Sequence, residues 1–232
     1  MFNLTLTNDV ARKVRQAGLL YLIIIVTGLG AELGLRGPLV DFENAAGTAR
    51  SILAAPVQFR LAIAADLLMA LSDAGLAVLL YLIFRTVAPG LALSAMVFRL
   101  IQTVLIAANL MALQAAWLFL ASTDGPADHA ALALLLLNLH AHGYDLGLVF
   151  FGVNSLIMGV LVWHSGLFHR AFGAGLAVAG AVYLIGSGLR FFAPEFHAGF
   201  TPIYVVTILA ETAFCVRLLL QRNPDLLELD QN

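Results

Sequence analysis

Charged residues are scarce in this sequence: 12 Lys+Arg and 14 Asp+Glu make up 11% of its 232 residues, against about 25% in an ordinary soluble domain. So few charges cannot cover the surface of a soluble protein. The scarcity excludes a soluble enzyme, a disordered protein and a nucleic-acid binder. The net charge of -2 does not favour binding to a polyanionic partner. Cysteine occurs once, as Cys215, which excludes an intrachain disulfide and a multi-cysteine metal site.

Long apolar runs take the place of charge. Hydrophobic residues make up 61% of the chain and the mean hydropathy is +0.94, so the chain belongs in a lipid bilayer. At about 20 residues per spanning helix, we predict an all-α fold, a polytopic transmembrane bundle of about six helices with short interfacial helices. It forms a single transmembrane domain over residues 1–232. The predicted spans are 16–35, 59–84, 91–121, 144–163, 171–192 and 201–220.

Two short interfacial helices are predicted between the spans. One is the weakly amphipathic stretch 45–54. The other precedes Gly143, which is expected to break the fourth apolar run so that the span itself begins at Tyr144.

Basic residues at the ends of the spans predict the orientation. Seven lie on the side of the amino terminus and four on the other side, which favours both termini in the cytoplasm. The seven are Arg12, Lys13, Arg15, Arg85, Arg170, Arg217 and Arg222, and the four are Arg36, Arg50, Arg60 and Arg190.

Ionisable side chains inside the spans are the most informative residues. Each costs at least ~2.5 kcal/mol at the bilayer centre, so it needs a partner, water or a ligand. Five acids stand against three arginines, which leaves a surplus of two acids. They are Glu32, Asp66, Asp73, Asp145 and Glu211 against Arg60, Arg99 and Arg190. A protonated carboxyl group, a protonated histidine, a bound cation or a cationic ligand would offset the surplus.

Two structural ion pairs are predicted from depth in the membrane. Counting ~1.5 Å per residue along neighbouring spans puts Asp73 and Arg99 at the same depth. Glu32 and Arg60 lie near the outer rim and form the second predicted pair. The alternative to a functional role is that such pairs only fix the register of the helices. The same counting puts Glu211 near the midplane, where we expect it to be the acid that is protonated or matched by a cation.

Polar side chains at helical spacing are expected to face the interior of the bundle. They predict a polar pocket that opens toward the outer side and takes a ligand or a proton. Its predicted residues are Asp66, Asn109, His142, Tyr144, Asp145, Arg190 and Glu211.

The segment from His140 to Asp145 is the densest cluster of ligand-capable groups. On a continuous helix His140 and His142 point ~200° apart and could not share an ion, whereas His142 and Asp145, three residues apart, could. A break at Gly143 would let both approach Asp145, and imidazole with carboxylate suits Zn or Fe. No metal and no cofactor is assigned on this basis. His140, His142 and Asp145 remain the candidate ligands, and helix capping with interfacial hydrogen bonding is the alternative.

Three sequence segments, one of which contains a more specific motif, carry a resemblance to a known family. They are RQAGLLYLIIIVTGLGAELGLRG, FRLAIAADLLMALSDAGLAVLLYLIF, LHAHGYDLGLVFFGVNSLIMGVLVWHSGLFHRAFG and, within the last, the most specific motif HGYDLGLVFFG from His142 to Gly152. With these segments and the order of its spans, the chain resembles the bacterial membrane proteins grouped as domain-of-unknown-function family 4386 over nearly its full length. The resemblance implies the multi-span architecture and a bacterial inner-membrane location, and it implies no activity and no catalytic residue.

Three functional hypotheses remain open at this stage. The first is the binding or passage of a small molecule, a lipid or a proton through the pocket. The second is a membrane hydrolase or oxidoreductase that uses the His/Asp cluster. The third is an accessory subunit of a membrane complex, in which the charges only hold helices together. The expected partners are the lipid bilayer, a small-molecule or lipid ligand, and either a second copy of the chain or another membrane protein.

Overall fold

The computed structural model describes residues 8–122 and 129–221. Helices contain 91% of these residues, and no strand occurs among them. The α-helices are α1 (Asn8–Leu29), α2 (Ala45–Ala54), α3 (Pro56–Phe84), α4 (Pro89–Ala121), α5 (His129–Ser165), α6 (Arg170–Phe192), α7 (Pro194–Phe200) and α8 (Tyr204–Leu219). A π-helical segment, Gly30–Arg36, and a 3-10 turn, Gly37–Leu39, extend α1, and a second 3-10 turn, Thr201–Ile203, joins α7 to α8.

Six of the helical stretches are long and apolar enough to cross a membrane. They are Asn8–Leu39, Pro56–Phe84, Pro89–Ala121, His129–Ser165, Arg170–Phe192 and Pro194–Leu219. The predicted fold class is therefore confirmed, and the protein is a multi-pass membrane protein. Each helical stretch is longer than the apolar run that predicted it, because prolines and polar residues at the ends still fit the first and last helical turns.

The predicted break at Gly143 is wrong, because α5 runs without interruption from His129 to Ser165. Gly143 instead permits a close contact with α4, since a Cβ atom at this position would collide with the side-chain amide of Asn109. That amide nitrogen donates a hydrogen bond to the carbonyl oxygen of His140 at 2.7 Å. The glycine marks a crossing point of two helices and not a helix end.

The six spans form a closed ring. Each span packs against the next one along the chain, and α8 packs back against α1. Helices α5 and α6 approach each other closely at two glycine pairs, Gly159 with Gly173 and Gly152 with Gly180. A Cβ atom at Gly159 would come within 2.7 Å of the Gly173 carbonyl oxygen, and one at Gly180 within 2.7 Å of the Gly152 carbonyl oxygen. These glycines let the two backbones touch, as in other membrane helix pairs.

The two ends of the ring are filled differently from its middle. At the end that carries both termini, here called the termini end, aromatic side chains such as Tyr21, Phe84 and Phe214 form an apolar cluster. At the opposite end, here called the mouth end, Phe59, Leu113 and their neighbours pack beneath α2. The space between the two clusters is not filled, and the polar side chains of the spans point into it.

Candidate functional site

A cavity of about 430 Å³ lies inside the ring. All six spans contribute side chains to its wall, among them Ile25 (α1), Asp73 (α3), Arg99 (α4), Asp145 (α5), Tyr183 (α6) and Glu211 (α8). A cavity of this size matches the ligand pockets of many proteins. It is the natural candidate for a functional site.

Three buried or partly buried arginine–aspartate pairs surround the cavity. Arg99 Nη2 lies 2.6 Å from Asp73 Oδ1, and Arg36 Nη1 lies 2.5 Å from Asp66 Oδ2. The third pair joins Arg190 to Asp145 near the mouth end. Pairing is what intramembrane charges require, because a single ion in this environment is costly.

The pair of Asp73 and Arg99 is the deepest and the most completely enclosed. The structure brings these two side chains into direct contact. Thr103 Oγ1 donates to Asp73 Oδ2 at 2.8 Å, and the Arg99 guanidinium lies 5.4 Å from the ring centre of Tyr21 and 5.0 Å from that of Phe151. The arginine thus has a carboxylate at one edge and aromatic faces beside it.

The expected pair of Glu32 and Arg60 does not form. Arg60 is exposed, and its guanidinium lies 4.6 Å from the ring centre of Trp117. Glu32 contacts Arg36, four residues further along the π-helical segment, with Arg36 Nη2 2.5 Å from Glu32 Oε2. Arg36 is buried and turns inward to Asp66, so it lies at the cavity wall. In the sequence analysis Arg36 serves only to predict the orientation in the membrane.

The predicted pocket residues divide into two groups. Tyr144, Asp145, Arg190 and Glu211 line the cavity. Asp66, Asn109 and His142 do not line it, which corrects the predicted pocket. Asp66 is held behind Arg36, Asn109 is wedged between α4 and α5, and His142 lies on the exposed side of α5.

His140 and His142 point in different directions because α5 is continuous. His140 is buried and its Nδ1 lies 3.1 Å from Asn109 Nδ2, whereas exposed His142 contacts the carbonyl oxygen of Asn138 at 2.9 Å. Asp145 is engaged by Arg190. Within residues 8–122 and 129–221, no three His, Cys, Asp or Glu side chains form a group that could hold a metal ion. The His/Asp cluster on which the enzyme hypothesis rests is therefore not assembled here.

Glu211 differs from the aspartates because its hydrogen-bond donor is a tyrosine. Tyr183 Oη donates to Glu211 Oε1 at 2.6 Å, and no arginine within the described ranges forms a salt bridge with Glu211. The ring of Tyr183 lies 5.2 Å from that of Phe151 and 5.9 Å from that of Tyr204, measured between centroids. Glu211 therefore sits beside a wall of aromatic rings.

Three aromatic residues of the site, Phe151, Tyr183 and Tyr204, were not among the predicted pocket residues. Tyr183 shares a helical face with Arg190, and Tyr204 shares one with Glu211, so the spacing already indicated that they point inward. Tyrosine near a span end is also typical of an interface anchor, a preference that does not indicate a cavity. The ring of Tyr204 lines the cavity.

The wall between α1 and α8 contains exposed residues that line the cavity. The two helices touch near the termini end, where a Cβ atom on Gly18 would meet the Leu219 backbone nitrogen at 2.8 Å. Further toward the mouth end they lie on either side of the cavity. Ile208 and Thr212 on α8 line the cavity and are nonetheless exposed on the surface, and Leu29 on α1 lines it and is partly exposed. Exposed and partly exposed side chains of two spans therefore line the cavity here.

Comparison with known proteins gives one result. No curated protein and no solved structure matches the chain. The family model described as "Domain of unknown function (DUF4386)" matches residues 16–221, which is most of the sequence. The chain therefore belongs to this family of unknown function, as its sequence motifs indicate.

Proposed function

We propose that this protein binds an amphipathic molecule in the cavity, with its polar end among the charged side chains and its apolar end between α1 and α8. A molecule of this kind can enter from the bilayer without crossing an aqueous phase. Storage of the ligand, its presentation to another protein and its passage across the membrane would each begin with binding at this site.

The observation that carries the proposal is the combination of polarity and lipid access in one cavity. Side chains at depth, such as Arg99 and Glu211, are polar, whereas Ile208 and Leu29 at the gap between α1 and α8 are apolar. A soluble polar ligand would not need the apolar gap, and a pure hydrocarbon would not need the charges. An amphipathic molecule makes use of both.

An unsatisfied polar atom gives independent support. Nε2 of His140 is buried and has no hydrogen-bond partner in the described part of the chain, and the residue lines the cavity. Buried polar groups in proteins nearly always have a partner, which can be a ligand or an ordered water. A polar group of a bound molecule, or an ordered water, would provide one.

Filling the gap between α1 and α8 should abolish binding. We expect the Ile208→Trp variant to lose the amphipathic molecule that wild-type protein retains, because the indole would occupy the apolar entrance. Leu209→Trp is the matched control, since Leu209 is the next residue, is 65% exposed and does not line the cavity. Native mass spectrometry of protein released from lipid nanodiscs counts the retained molecules. Equal retention by Ile208→Trp and Leu209→Trp would refute binding at this gap.

We further propose that the protein lies in a bacterial inner membrane with both termini in the cytoplasm. Six spans put both termini on one side, and the seven-to-four distribution of basic residues favours the cytoplasm for that side. The termini end is then cytoplasmic, and the mouth end faces the outer side.

Reporter fusions test this orientation. Fusions after Arg85 and after Arg222 should report a cytoplasmic location, and a fusion near Asp124 should report an external one. Arg222 and Asp124 lie outside the described residues and serve here only as fusion points. An external signal from the carboxyl-terminal fusion would contradict the proposed orientation.

A further inference from the structure

The charges around the cavity do not balance. Five carboxylates and three guanidinium groups line it or pair directly with a lining residue, which leaves a formal charge of -2 when all are ionised. They are Glu32, Asp66, Asp73, Asp145 and Glu211 against Arg36, Arg99 and Arg190. An anionic ligand would increase this imbalance, and a cationic ligand would reduce it.

The three arginines of the cavity are poorly placed to bind an anion. Each of the three already faces an aspartate, and Arg36 contacts Glu32 as well. An anion would have to displace one of these carboxylates and leave it without a partner in a membrane protein, which is unfavourable.

Among the five acids, Glu211 is the one suited to receive a positive charge. Asp66, Asp73 and Asp145 each have an arginine, and Glu32 is exposed beside Arg36. Glu211 is 9% exposed, lines the cavity and accepts a hydrogen bond from Tyr183.

The groups that face Glu211 come from four other spans. They are the hydroxyl groups of Tyr183 on α6 and Tyr21 on α1, and the charges of Arg99 on α4 and Asp73 on α3. The charge of Arg99 is directed to Asp73, which it contacts through two nitrogens at 2.6 and 2.7 Å. The remaining neighbours of Glu211 are neutral or negative, so they do not oppose a second cation nearby.

Aromatic rings next to this carboxylate provide the other half of a cation site. Phe151, Tyr183 and Tyr204 all line the cavity, and their rings follow one another at centroid distances of 5.2 and 5.9 Å. Aromatic faces attract alkylammonium groups, and a carboxylate beside them adds direct charge attraction. A guanidinium already makes use of such faces in the same cavity, where Arg99 lies over Phe151.

We infer that the polar end of the ligand is a positively charged alkylammonium group that binds beside Glu211 against the rings of Tyr183 and Tyr204. This inference rests on the proposed function and gives it a ligand class. The apolar chain of such a ligand leads from Glu211 past Ile208 and Thr212, which lie on the same helix and line the route to the lipid.

Three probes of equal chain length separate the headgroup from the chain: decyltrimethylammonium, decanol and decyl sulfate. Their equilibrium binding to the full-length protein in nanodiscs of zwitterionic lipid is measured by calorimetry. We expect wild-type protein to bind the ammonium probe about tenfold or more tightly than decanol, and decyl sulfate most weakly.

Variants of two residues locate the cation. Glu211→Gln keeps the shape and should remove most of the preference for ammonium over decanol while decanol still binds. Tyr204→Leu, which changes a partly exposed ring, should reduce ammonium binding several-fold. This variant tests the inference if Glu211→Gln does not fold. Glu195→Gln removes an exposed acid on α7 and should change nothing.

The outcomes distinguish the inference from the proposed function. An undiminished ammonium preference in both Glu211→Gln and Tyr204→Leu, or tighter binding of decyl sulfate, would overturn the cationic ligand and leave binding in the cavity intact. If none of the three probes binds wild-type protein more tightly than Ile208→Trp, the proposed function itself fails.

Discussion

Replacing Arg99 by Met should destabilise the protein by roughly 3–5 kcal/mol, because it leaves Asp73 buried without its counter-charge. Both side chains are enclosed, with exposures of 2% for Arg99 and 3% for Asp73. Replacing Asp73 by Leu should have a similar cost for the same reason. Reversible unfolding in mixed micelles, followed by circular dichroism, measures the change.

Two controls separate a stranded charge from a general loss of packing. The double variant, Asp73→Leu with Arg99→Met, should recover much of the lost stability, since no unpaired charge remains. Arg60→Met removes an exposed arginine whose contact is with Trp117 and should cost far less. A double variant as unstable as the sum of the two single variants would show that the two charges do not act as a pair.

Adding one methyl group at Gly173 should also have a large effect. A Cβ atom there would lie 2.6 Å from the Gly159 carbonyl oxygen and 2.8 Å from the Trp163 backbone nitrogen. Both neighbours are backbone atoms, so α5 and α6 would have to move apart. We expect Gly173→Ala to cost about 1–3 kcal/mol or more, in the range of other overpacked sites.

Gly188 on the same helix provides the matched control. A Cβ atom at Gly188 would meet nothing within 4 Å, so Gly188→Ala should be neutral or slightly stabilising, because alanine favours helix more than glycine does. Thermal unfolding of both variants under one condition gives the comparison. If Gly173→Ala is as stable as Gly188→Ala, the close contact between α5 and α6 is not essential to the fold.

The number of spans could be predicted from the sequence because it depends on local properties. A run of about 20 apolar residues is a requirement of the bilayer thickness, and it does not depend on which helices are neighbours. The meeting of Asp73 and Arg99 followed from the same kind of argument, since a short connection makes α3 and α4 antiparallel neighbours and depth then fixes which residues face each other.

The other partners could not be predicted because they depend on how helices approach in three dimensions. Gly143 carries the same sequence signal whether it ends a helix or admits the side chain of Asn109 from a neighbouring helix. Arg36 lies at the end of an apolar run, and only the π-helical turn shows that it points inward to Asp66. The charges in the sequence therefore predicted the surplus of acids, but they did not predict for every acid which arginine pairs with it.

A density map of the protein in lipid nanodiscs tests the central claim most directly. We predict elongated density that begins beside Glu211 and Tyr183 and leaves the bundle between α1 and α8 at Ile208. A cavity that holds only water, or a gap closed by direct contact of Leu29 with Ile208, would contradict binding of an amphipathic molecule at this site.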